Sequence, residues 1–76
     1  MTTKKVKIKS NDPEQITKAV MTEVGNMTKS VQRIMISTNV GEEVKNVTRE
    51  KIKDSLHHVN VLAEKSKKNV VTIYTE

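Results

Sequence analysis

Apolar and polar positions alternate at the start of the chain: Lys5, Lys7 and Lys9 point one way, and Val6 and Ile8 the other, the period-two pattern of a half-buried strand over residues 4–10. Ser10-Asn11 breaks it, and a helix start follows. Asp12 is placed to cap, Pro13 suits the first helical position because its missing N–H has no partner there, and Gln15 completes a capping-box spacing. Ile16, Ala19, Val20, Val24 and Met27 then recur at steps of three and four, which predicts an amphipathic helix. Gly25-Asn26 is expected to end it through a left-handed glycine. Val31–Thr38 is short and rich in β-branched residues. Its Ile34-Met35-Ile36 centre has no polar alternate, as expected of a strand with neighbours on both sides. Two strands joined through a helix imply a parallel pair.

After Asn39-Val40-Gly41, the acidic pair Glu42-Glu43 favours the positive end of a second helix, with Val44, Val47, Ile52 and Leu56 on its apolar face and Thr48 filling the gap. Residues 57–64 fit two patterns. Val59, Val61 and Ala63 alternate as in a strand, while Ile52, Leu56, Val59 and Ala63 keep helical spacing. The strand is preferred because Val59-Asn60-Val61 has poor helix propensity and a helix over 42–67 would be long for so small a domain. Residues 69–74 read as a last strand, and Lys65–Lys68 as a basic hairpin tip between the two. The order is β-α-β-α-β-β, an α+β two-layer sandwich with a mixed sheet, in a single domain over residues 1–76.

Composition narrows what such a domain does. The chain has 76 residues, of which 34% are apolar, and Tyr74 is its one aromatic. So small a core favours association. With no cysteine, disulfides, thiolate metal sites and cysteine nucleophiles are excluded. No apolar run approaches a membrane span, and the segment Met1-Thr2-Thr3-Lys4-Lys5 lacks the apolar block of a signal peptide, so a cytosolic protein is expected. The net charge is +5, and residues 1–10 alone carry +4. A smaller basic knot is Lys65-Ser66-Lys67-Lys68. Basic excess favours anionic partners such as nucleic acid, although it also serves solubility.

The element order, the turn Ser10-Asn11-Asp12-Pro13-Glu14-Gln15-Ile16, the strand ending Ile34-Met35-Ile36-Ser37-Thr38-Asn39-Val40-Gly41 and the charged C-terminal tip together resemble the Alba superfamily, the chromatin protein Alba and sporulation stage V protein S among its members. The resemblance implies a homodimer that binds DNA or RNA. It also implies basic residues after the first strand, near the second helix start and on a hairpin arm. Lys65, Lys67 and Lys68 match the arm. The other two stations are acidic or neutral here, with Asn11, Asp12 and Glu14 at one and Glu42 and Glu43 at the other.

The candidate nucleic-acid-binding residues are therefore Lys5, Lys7 and Lys9, spaced about 6.6 Å apart on one strand face, with Lys65, Lys67 and Lys68. Lysines without interleaved aromatics, and only Arg33 and Arg49 as arginines, point to backbone contact rather than base stacking or bidentate base reading. An exposed strand face or a charged turn explains the same lysines without any ligand. His57-His58 face opposite ways in a strand and make a poor metal pair. The carboxylates Glu42, Glu43, Glu50 and Asp54 alternate with Lys45, Arg49, Lys51 and Lys53 as on a solvated helix face, and no phosphate loop or nucleophile elbow is present. No enzyme, cofactor or metal is expected. Met35, Val59, Val61 and Leu62 are candidates for an apolar dimer seam. The rival reading is a protein-interaction or regulatory module that binds a protein partner through its sheet or second helix, with a domain that acts through its oligomeric assembly as a third.

Overall fold

The computed structural model describes residues 2–76, and Met1, which opens the polar N-terminal segment, lies outside the described residues. The described residues form β1 (Thr3–Lys7), α1 (Pro13–Gly25), β2 (Val31–Thr38), α2 (Glu42–Ser55), β3 (Asn60–Lys65) and β4 (Val70–Thr75). The architecture is α+β in the expected order, two helices against one mixed four-stranded sheet.

Asp12 caps α1 by accepting from the Glu14 backbone N–H at 3.0 Å, with Pro13 opening the helix. Its core face is narrower than the stripe: Ile16 and Val20 are buried, Val24 and Met27 pack alongside, and Ala19 is exposed. The far end also departs from expectation. Gly25 is the last helical residue, and Asn26 closes the turn at φ −88°, its N–H donating to the Glu23 carbonyl and the Met27 N–H to the Val24 carbonyl, both at 3.1 Å. No left-handed residue is used, because this tightened last turn satisfies the carbonyls instead.

In α2 the buried positions are Lys45, Thr48 and Ile52, with Val44 and Leu56 packed against the core; of the expected face only Val47, 38% exposed, stands outside it, and Lys45 joins in its place. A charged residue can sit there because the Lys45 stem covers apolar surface while its amine reaches Glu42 Oε1 at 2.9 Å. Thr48 donates to the Val44 carbonyl at 2.7 Å and so buries its hydroxyl with a partner. Residues 57–64 resolve as His57-His58 in a turn followed by strand from Asn60, which rules out the longer helix.

Strand order in the sheet is β1-β4-β2-β3. The β2–β3 pair is parallel, with α2 as the crossover, whereas β4 runs antiparallel to both β1 and β2. Two expectations fail here. The helix-linked β1 and β2 are not neighbours, because β4 lies between them. Nor do β3 and β4 form a hairpin, since they flank β2 on opposite sides. Composition explains both. Val-Val-Thr-Ile-Tyr-Thr of β4 is the least polar strand, and it takes the central positions together with β2, whose Ile34-Met35-Ile36 centre is apolar. Lysine-rich β1 is left at an edge, where its charges oppose pairing with another chain.

The core lies between sheet and helices, built from Ile34, Ile36, Val61, Val71 and Ile73 on the sheet and Ile16, Val20 and Ile52 on the helices, with Val59 at the entry to β3. The other sheet face carries no helix, and its side chains stand in three cross-strand rows.

Candidate nucleic-acid interface

Because β3 and β4 lie on opposite sides of β2, the segment between them must pass over the end of β2. It is tied down there. The Ser66 N–H donates to the Thr38 carbonyl at 3.2 Å. Asn69 Oδ1 accepts from the Thr38 hydroxyl at 2.8 Å and from the Asn39 N–H at 2.7 Å. The Asn69 carbonyl in turn accepts from the Ile8 N–H at 3.0 Å, which carries the β1–β4 register one step past the ladder.

The fold thus joins two lysine groups that lie almost sixty residues apart in the chain. Lys7 and Lys9 leave the end of β1, Lys65 ends β3, and the exposed Lys67 and Lys68 sit on the crossing segment, its bend held by the Lys68 N–H donating to Ser66 Oγ at 3.2 Å. Lys5 stands further back on the open sheet face, in register with Thr72. Lys9 lies beyond β1, which stops at Lys7 where its partner strand begins at Val70, so only Lys5 and Lys7 of the first group share a regular strand face. The arm expected at Lys65–Lys68 is replaced by this strap, held flat against the sheet end.

Ion pairs among the described residues involve other lysines and arginines: Lys4 with Glu23 at 3.8 Å, Lys45 with Glu42, and Arg49 with Glu50 at 3.2 Å. None engages the six candidates, all of which are exposed. Carboxylates around them are otherwise engaged: Asp12 caps α1, Glu64 accepts from Ser37 Oγ at 2.7 Å, and Glu42, which lines a hollow with Lys65, pairs with Lys45 at 2.9 Å.

Two open-face residues escaped the sequence reading. The Arg33 guanidinium lies 4.2 Å from the Tyr74 ring centroid, a cation–π pair between neighbouring strands. Their contact depends on the β2–β4 register, which the sequence does not announce. Asn69 is the third omission, a loop asparagine by sequence and the fastening of the strap by structure. His57 and His58 lie in the α2–β3 turn, at the end of the sheet away from the lysines.

Compared with protein-family models, with curated proteins and with solved structures, the chain shows no match in any of the three. No helix among the described residues is long and apolar enough to cross a membrane.

Proposed function

We propose that this protein binds the phosphate backbone of DNA or RNA with low sequence specificity, as a homodimer in the cytosol and without catalytic activity. One observation carries the reading: Lys7 and Lys9 stand at the same end of the sheet as Lys65, Lys67 and Lys68, none of them in an ion pair. Ammonium groups so exposed keep their hydration and mobility, which suits contact with phosphates through release of condensed counterions. Base reading is poorly served, since the Tyr74 ring is already engaged by Arg33. The element order supports the Alba-like resemblance, while the strap in place of a hairpin arm is a departure that calls for a shallower contact.

The test is fluorescence anisotropy with labelled duplex DNA and single-stranded RNA, comparing wild type with Lys67→Glu/Lys68→Glu. The exposed positions leave the fold intact, as circular dichroism would verify, and binding is expected to be lost. Unchanged affinity in the variant would overturn the assignment. The protein-interaction reading draws on Val47, which is 38% exposed on α2. It is favoured if substitutions there, and not at the lysines, remove a partner.

A further inference from the structure

The sheet face without helices has a charge pattern that matches itself. Its rows, read from β1 across to β3, are Thr3–Tyr74–Arg33–Asn60, Lys5–Thr72–Met35–Leu62 and Lys7–Val70–Ser37–Glu64. The β1 edge carries Lys5 and Lys7, the β3 edge carries Glu64 and Leu62, and Arg33 and Met35 stand on β2 between them, so opposite charges face one another only where β1 lies over β3; Leu62 is 37% exposed. Two of the four residues considered for a dimer seam are thus here, whereas Val59 and Val61 are buried in the core beneath the helices.

We infer that this face is covered by the same face of a second copy, the two related by a two-fold axis running parallel to the strands. Aligned packing of two sheets face to face admits two in-plane axes. An axis perpendicular to the strands lays β1 over β1, so that Lys5 of each copy confronts Lys5 of the other, with Lys7 over the partner's Thr3 beside it. The axis parallel to the strands reverses the strand order instead and lays β1 over β3. Lys7 then meets the partner's Glu64, Thr72 meets the partner's Met35, and the stem of Lys5 covers the partner's Leu62. Tyr74 meets the partner's Arg33 in the outer row. Each pairing occurs twice by symmetry. Glu64 is already oriented on this face by the Ser37 hydroxyl at 2.7 Å.

Four strands and three rows give a footprint of about 350 Å² from standard strand spacings. Standard interfaces bury about 800 Å² per partner. The dimer is accordingly a weak, reversible one, in the micromolar range or above. Its axis preserves strand direction, so both lysine straps point the same way. Lys5 and Lys7 turn into the interface, so the phosphate contacts of the dimer fall to Lys9, Lys67 and Lys68 of the two copies, which line one continuous edge with the sheets about 10 Å apart. This doubling of the basic edge rests on the nucleic-acid reading, whereas the self-association does not.

Sedimentation equilibrium of the full chain at low ionic strength, without nucleic acid, tests it. Wild type is expected to associate as concentration rises. Glu64→Lys sets lysine against lysine at two symmetric positions and is expected to raise the dimer Kd on the order of tenfold or more. Lys7→Glu/Glu64→Lys restores opposite charges and is expected to recover association, with circular dichroism verifying the fold of each variant. A chain that stays monomeric at every concentration would overturn the inference, as would a double variant no better than Glu64→Lys. Anisotropy on the same samples separates the two claims. A monomer whose binding still depends on Lys67 and Lys68 sinks only the dimer, and a dimer that ignores nucleic acid sinks only the binding.

Discussion

Asn69 is the residue on which the geometry of the basic end turns, and its removal has a calculable effect. Asn69→Ala deletes the acceptor shared by the Thr38 hydroxyl and the Asn39 N–H, at 2.8 and 2.7 Å. Each neutral hydrogen bond contributes about 1 kcal/mol net, with more lost where the abandoned partner is buried. Asn39 is exposed, so water replaces its partner, but Thr38 is only 1% exposed. The Thr38 hydroxyl also accepts from the Val40 N–H at 3.0 Å, which softens the loss. The sum is about 1–2 kcal/mol, and at about 4–8 °C per kcal/mol for a domain of this size it lowers Tm by roughly 5–15 °C. Asn69→Asp retains the acceptor oxygen and is expected to lose less than half as much. Thermal unfolding followed by circular dichroism reads both. In a salt titration with nucleic acid, Asn69→Ala should weaken binding at every salt concentration without changing the slope, because the strap loosens while its charges remain. A Tm unchanged in Asn69→Ala, or an Asp variant as unstable as the Ala variant, would refute the account of the strap.

Other substitutions test the helices. The Lys45 side chain is 10% exposed and its partner Glu42 72% exposed, so Lys45→Met, which keeps the stem and removes the charge, should change stability by less than about 1 kcal/mol. Glu42→Gln, which strands the buried ammonium, should cost more than Lys45→Met in urea denaturation. Asp12→Ala removes the cap on α1 and should cost about 1 kcal/mol, read as a lower urea midpoint with an unchanged m-value.

What could be read from the sequence was local, and what could not was register. The cap at Asp12-Pro13, the extent of β2 and the choice of strand after His58 follow from propensity and periodicity, which act within a few residues. Strand order depends instead on which apolar segment wins the centre of the sheet. Sequence adjacency suggested a hairpin of residues 57–64 and 69–74 and a pair for β1 and β2, yet the apolar content of β4 drew it between β1 and β2. In α2 the stripe was right at Val44, Thr48, Ile52 and Leu56 and wrong at Val47, and Lys45 was missed because it is polar by type and apolar by stem. All six candidate lysines were identifiable by charge and alternation. The assembly of five of them at one end, with Lys5 further back, was not, since it requires the antiparallel β1–β4 ladder and the strap over β2. The Arg33–Tyr74 pair and the fastening at Asn69 escaped for the same reason.

The central claim is a binding surface made of lysines and directed at phosphates, and the salt dependence of affinity tests it most directly. Anisotropy titrations of wild type with duplex DNA and single-stranded RNA at several salt concentrations give log K against log salt. A steep negative slope is expected, about −0.9 per phosphate neutralised on duplex DNA and about −0.7 on single strands. Binding with little salt dependence, or none even at low salt, would contradict the account.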